Sequence, residues 1–239
     1  MVISSLAGCQ PSSSDSNSGS SGNASAQTRP TTNGKEENSL TMAVTDQVST
    51  LDPELFTMQT EDTVIEQMYD PLFYVMNDGS IENVLLESYT ENEDGSVDFV
   101  LKSGVQFHSG DTLTSEDGEY TLSRCENAPL CAPVYAAVTM TIEDDTHFTW
   151  TFEGATFTDL ASYIQSMGIV NKSYCETILE TPTDNLKFNE DGTGAYYLES
   201  VTDNGDVTLK RFEDYHGTAS IDTLNFRYIS GNTEMAFES

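Results

Sequence analysis

The sequence predicts an α+β chain, with mixed sheets joined by a few short helices. Two observations carry this. From about position 40 onward, most apolar residues fall in short runs that alternate with polar ones and stop at Gly, Asn, Asp or Pro. Only a few segments place apolar residues at helical spacing. No internal repeat of about 20–50 residues interrupts the pattern.

Folded structure is expected to begin near Leu40, where Leu40-Thr41-Met42-Ala43-Val44 alternates as a strand does. Leu51-Asp52-Pro53 ends the loop that follows. From Glu61 to Tyr69, Val64, Ile65, Met68 and Tyr69 recur at helical spacing, with Thr60 or Asp62 as N-cap. Pro71 stops that helix. Leu72-Phe73-Tyr74-Val75 reads as a strand and Asn77-Asp78-Gly79 as a turn. Leu85 to Thr90 pairs with Ser96 to Leu101 across Asn92-Glu93-Asp94-Gly95, with Val97, Phe99 and Leu101 on one face. Thr114-Ser115-Glu116-Asp117 has the form of a capping box and opens a helix over 115–125. Gly118 weakens that helix by about 1 kcal/mol relative to Ala. A second hairpin joins Val138–Glu143 to His147–Phe152 at Asp144-Asp145. Asp159–Met167 and Ser173–Leu179 read as helices. The close is β-rich: Ala195–Val201, a turn at Asn204-Gly205, Val207–Phe212 and Leu224–Ile229.

Charge narrows the function. The chain has 40 acidic and 9 basic residues, a net charge of −31. Such a surface repels phosphate backbones, so nucleic acid is not an expected partner. It repels anionic lipid headgroups too, so membrane attachment has to come from a lipid. No run approaches about 18 apolar residues, so no transmembrane helix is expected. Besides Cys9, the cysteines are Cys125, Cys131 and Cys175. Cys125 and Cys131 either close a small loop around Pro129 or stay reduced and buried with Cys175. None forms a C-x-x-C pair, which argues against zinc or redox roles.

Leu6-Ala7-Gly8-Cys9 reads as a bacterial lipobox. The processing chemistry needs an apolar residue, two small residues and an alkylatable thiol. Cys9 is thus the expected lipidation site, and two acyl chains are enough for stable anchoring. Residues 1–9 are then the remnant of a signal peptide, short and without Lys or Arg. Residues 10–39 are rich in Ser, Asn, Gly and Thr and cannot bury enough surface to order, so they form the expected tether.

Three segments together resemble the family 5 extracellular solute-binding proteins of ABC importers. The first is Thr50-Leu51-Asp52-Pro53 with the helix ending Tyr69-Asp70-Pro71-Leu72. The second is Leu101-Lys102-Ser103-Gly104-Val105-Gln106-Phe107-His108-Ser109-Gly110-Asp111-Thr112-Leu113-Thr114-Ser115-Glu116-Asp117, the long and specific signature run. The third gathers Gly192-Thr193-Gly194-Ala195-Tyr196, Val207 to Arg211, Asp214-Tyr215-His216-Gly217 and Ile221 to Ile229. The chain departs from the family pattern at Ala195, where Pro is usual, at His216, where Trp is usual, and at Gly118, where an apolar residue is usual.

The resemblance implies a periplasmic-binding-protein-like first lobe of the type II, or cluster C, kind. Residues 40–70 and 185–239 would form part of lobe I, and 71–184 an inserted α+β subdomain. The second lobe would be absent, since the sequence stops at 232–239, which reads as a helix barely begun. The implied partners are a peptide or small-molecule ligand, ABC permease subunits and the membrane through the lipid. The implied location is extracytoplasmic. By carry-over, Thr57, Met58 and Gln59 are the candidate ligand-binding residues, as backbone donors and acceptors with Met58 as an adaptable wall.

No catalytic role, cofactor or metal is expected. The chain has no G-x-S-x-G, H-E-x-x-H or phosphate-loop motif. His108, His147 and His216 are scattered, and His108 reads as a structural histidine. The acidic turns at 92–95 and 189–192 lack the ligand alternation of an EF-hand loop. The alternative class is a non-catalytic surface structural or adhesion lipoprotein. It would share the anchor and tether but has no reason to carry the 101–117 run.

Overall fold

The computed structural model describes residues 38–126, 132–179 and 191–230. Cys9, the tether to residue 37, Cys131 with its possible disulfide, and the helix start at 232–239 lie outside the described residues. In chain order the elements are β1 (Ser39–Val44), α1 (Gln59–Met68), β2 (Phe73–Val75), β3 (Ile81–Asn83), β4 (Leu86–Glu91) and β5 (Val97–Leu101). They continue with α2 (Ser115–Cys125), α3 (Ala132–Tyr135), β6 (Val138–Ile142), β7 (His147–Phe152), α4 (Phe157–Ile164), α5 (Lys172–Leu179), β8 (Tyr196–Val201), β9 (Val207–Arg211) and β10 (Thr223–Tyr228).

Two four-stranded sheets carry the architecture. One has the order β1-β10-β9-β8, with β1 parallel to β10 and the other pairs antiparallel. The other is antiparallel throughout, in the order β4-β5-β7-β6. A small β2-β3 ladder stands apart from both.

Each sheet has its own core. Alternation on β5 and β7 turns Val97, Phe99, Leu101, Phe148 and Trp150 inward. There Phe99 meets Trp150 edge-on at 4.9 Å and Phe157 of α4 at 5.8 Å. This core holds residues from Leu72 to Ile169. The second core packs Val64, Ile65 and Met68 of α1 and Cys175 of α5 with Val207, Leu209, Leu224 and Phe226. The chain leaves the second core at Asp70-Pro71 and re-enters it at Ile169-Val170. A bridge between Pro71 and Gly168 closes that seam, as does a 3.1 Å bond from the Ile169 N–H to the Asp70 carbonyl.

The signature run lies across this seam. Gly104 and Gly110 take positive φ values of 75° and 95°, and Val105 and Phe107 are buried between them. The Asp117 carboxylate accepts from the Lys172 N–H at 2.9 Å, and the Thr121 hydroxyl oxygen accepts from the Val170 N–H at 3.1 Å. The Ser109 N–H donates to Asp191 at 2.9 Å, and the Asn171 amide donates to both Asp191 and Asp111 at 2.9 Å. The run therefore builds one core and clips it to the other.

Helix ends follow their caps. α2 spans 115–125 as its capping box dictates, with the Thr114 N–H donating to Asp117 at 2.8 Å. α4 starts two residues before its expected start, because Thr156 and Asp159 form an unanticipated capping box. α1 starts at Gln59, not beyond Thr60 or Asp62. Its N-cap is Met58, and Glu61 at the third helical position reaches back to the Met58 N–H at 3.3 Å. On α2, a Cβ at Gly118 would meet the Met140 Cε at 3.4 Å, an ordinary contact. Gly118→Ala is therefore expected to stabilise the chain by ~0.5–1 kcal/mol, read as a higher melting temperature. A lower one would show that Met140 cannot yield.

Candidate functional site

Thr57, Met58 and Gln59 lie exposed at the mouth of α1, beside the exposed Leu55. What fixes them is buried. The Glu61 carboxylate accepts from the Thr57 and Met58 N–H groups at 3.1 and 3.3 Å. It also accepts from the Ser49 N–H and hydroxyl at 2.9 and 2.6 Å and from the Thr50 N–H at 3.2 Å. The Met58 carbonyl takes the Asp62 N–H at 3.1 Å. The backbone donors that the sequence assigned to Thr57 and Met58 are thus engaged within the chain. What this segment presents outward is its side chains, with Met58 43% exposed.

The base of the same loop is held by ions. Arg124 of α2 lies 2.7 Å from Asp52 and 2.8 Å from Glu54, and both carboxylates are buried. Burial pushes the Glu54 carboxyl well above its usual range against the pull of Arg124, and Asp52 beside it pushes the same way. Two buried carboxyls facing one guanidinium make a tightly held clamp between the 51–56 segment and α2.

Beside α1 lies an open cleft of about 220 Å³. α1 supplies Asp62, Ile65 and Glu66, and the seam supplies Tyr69, Pro71 and Gly168. Tyr74 of β2 and Gln165 and Ser166 after α4 complete the wall. Gln165 is fixed there because its side-chain oxygen accepts the Val75 N–H at 2.7 Å. The Gln59 amide donates to Asp62 at 3.2 Å, so the exposed segment and the cleft are contiguous. Burial raises the pKa of Asp62. Burial and then the charge of Asp62 raise that of Glu66. Tyr74 is raised by burial and by Asp70, Glu66 and Glu82. The sequence reading missed this cleft. Its one local trace is Asp62 and Glu66, which are four apart on a predicted helix and so share a face.

The histidines are structural. Burial lowers the pKa of His108, whose Nε2 donates to the Gly194 carbonyl at 2.9 Å. Its ring meets Phe212 edge-on at 5.1 Å. His216 stands 2.7 Å from the buried Asp70, and the Tyr215 hydroxyl donates to the same carboxylate at 3.3 Å. His147 caps its own turn with Asp144 at 2.8 Å. Among the described residues, no three His, Cys, Asp or Glu gather as a metal would require. No described helix is long and apolar enough to cross a membrane.

Residues 80–238 match the model of the bacterial extracellular solute-binding proteins, family 5 (middle). The chain belongs to this family. Among its family 5 relatives is the glutathione-binding protein GsiB of Salmonella typhi, 26% identical over 204 residues, which cover 82% of this chain and 39% of GsiB. The nickel-binding protein NikA of Staphylococcus aureus is 24% identical over 170 residues, 66% of this chain and 31% of NikA. In structure, the family 5 chain resembles MoaA of A. tumefaciens R10, solved with mannopinic acid, with a TM-score of 0.74, 25% identity and coverage of 84% and 43%. It shares its fold with DppA of Helicobacter pylori, solved with the peptide STSA, at a TM-score of 0.71, 20% identity and coverage of 84% and 44%. The chain spans about two-fifths of the length of the first curated relatives it matches. The α+β, periplasmic-binding-protein-like class expected from the sequence is the class observed.

Proposed function

We propose that this chain is part of the substrate-binding component of an ABC importer. It captures peptides, or a related small solute, outside the cell and delivers them to the permease subunits without altering them. The observation that carries this reading is the open cleft next to Thr57, Met58 and Gln59, on a chain of an extracellular solute-binding family. In this reading 40–70 and 185–239 contribute to the first lobe and 71–184 form the inserted subdomain. Two separate cores support a two-part division, with Val170 and Cys175 of the 71–184 stretch packing in the core of the first-lobe residues. Thr57, Met58 and Gln59 meet the ligand through side chains, with the Thr57 and Met58 N–H groups held by Glu61. Cys9 carries the diacylglyceryl anchor, a role supported by the Leu6–Cys9 tetrad and the polar tract after it.

Two measurements test the reading. Cells fed labelled palmitate should label the protein, and Cys9→Ser should remove the label and release the protein from the membrane. An unlabelled wild-type protein would refute the anchor. Calorimetry with a random tripeptide library should give saturable heat that Tyr74→Ala and Gln165→Ala reduce. A protein that binds no member of the library and carries no solute when purified from cells would refute capture.

A further inference from the structure

We propose that the cleft on α1 selects solutes carrying an organic cation, an ammonium or guanidinium group as on a Lys- or Arg-containing peptide, with Asp62 and Glu66 reading the charge. This rests on the solute-capture reading above and adds the class of solute. Asp62 and Glu66 stand one turn apart on α1 and both line the cleft. A like-charged pair at that spacing costs helix stability unless something offsets it. Nothing in the described chain does. Asp62 takes one neutral hydrogen bond, from Gln59.

The six Lys and Arg side chains of the described residues are all engaged elsewhere. Lys102 donates to the Val84 carbonyl and Lys210 to Thr223. Arg124 faces Asp52 and Glu54, and Lys172 faces Glu116. Arg211 faces Glu213 and Asp222, and Arg227 faces Asp206. Among the described residues, the cleft carboxylates therefore have no Lys or Arg counter-charge. Partial desolvation of the half-buried Asp62 and the exposed Glu66 works against their ionised forms and raises both pKa values. Asp70 and Glu82 add negative field at Tyr74, on the β2 wall.

A cation entering the cleft relieves all of this at once, and an anion would meet the same field as repulsion. The remaining walls suit an organic cation. Tyr69 and Tyr74 offer ring faces for cation–π contact, and Ile65 and Pro71 offer apolar surface to an alkyl stem. A bare metal ion would require a denser oxygen or nitrogen set than the described residues gather.

The test compares three tripeptides by calorimetry on the whole chain, all N-acetylated and C-amidated so that only the central side chain is charged: Ala-Lys-Ala, its neutral isostere Ala-norleucine-Ala, and Ala-Glu-Ala. The Lys peptide should bind about tenfold tighter than the norleucine peptide, and the Glu peptide should bind weakest. In the Asp62→Asn, Glu66→Gln double variant, the Lys and norleucine peptides should converge to within about twofold of each other. Equal wild-type affinities, or a Lys preference that survives in a double variant with a wild-type melting curve, would overturn the charge reading and leave capture standing. Failure of all three peptides and of the random library would overturn capture, and this inference with it.

Discussion

Gly194→Ala is expected to lower stability by ~3 kcal/mol, seen as a large drop in the thermal midpoint. A Cβ at Gly194 would lie 2.4 Å from the Met68 carbonyl carbon and 2.7 Å from the carbonyl oxygens of Gln67 and Met68. These are backbone atoms at the end of α1, and no side-chain rotation can move them. The Gly194 N–H also donates to the Met68 carbonyl at 2.9 Å. Relief would require α1 to lift off β8, exposing Val64, Ile65 and Met68, which are buried beneath it. Gly192 is as tight, with a Cβ 2.2 Å from the Met68 oxygen. Gly118, where a Cβ would make only an ordinary 3.4 Å contact, is the contrast site. The displaced helix carries Asp62 and Glu66, so any folded Gly194→Ala fraction should also lose solute affinity. A wild-type melting curve for this variant would show that the helix and strand do not approach so closely.

Glu61→Ala should cost a comparable ~3 kcal/mol at neutral pH. The side chain is fully buried, and its removal strands the N–H groups of Ser49, Thr50, Thr57 and Met58. Glu61→Gln should fall nearly as far, since its amide N–H₂ would face donors. The pH dependence follows from the same bonds. Burial pushes the Glu61 carboxyl upward, but the Ser49 hydroxyl and the N–H groups of Thr57, Ser49 and Met58 outweigh it, so the folded pKa lies below the ordinary 4.5. A depressed carboxyl stabilises fully above its unfolded pKa and loses that contribution as pH falls through the folded one. Wild-type stability should therefore fall in the acid range below about 4.5. Glu61→Gln should show a shallower acid slope in urea titrations at a series of pH values. An identical slope in the two proteins would remove Glu61 from the account.

Much of this fold can be read directly from the chain. The hairpins of β4-β5 and β6-β7 announce themselves through alternation on β5, β6 and β7 and an acidic turn, because one face is dry and the other wet. α2 announces itself through Thr114 and Asp117, since its cap lies within four residues. β3 and α3 went unread because three or four residues carry no period. The start of α1 was misplaced because Met58 has no oxygen to advertise a cap, and Glu61 does that work from inside the helix. The cleft was illegible for a different reason. Its walls come from α1, β2 and the segment after α4, and only folding brings Asp62, Tyr74 and Gln165 together. The sequence led to the neighbouring Thr57, Met58 and Gln59 through family likeness, but it could not reveal that Glu61 already holds the N–H groups of Thr57 and Met58.

The 3.1 Å hydrogen bond between Asp70 and Ile169 means that the whole β4-β5-β7-β6 unit enters and leaves through one narrow doorway. Segments whose ends nearly touch can be removed or exchanged without stretching the host. The region from Pro71 to Gly168 is in effect a cassette. A related chain could carry a larger, smaller or differently surfaced version and still close the same joint, so evolution, or a designer, could re-tool one wall of the cleft while leaving α1 and its sheet as they stand.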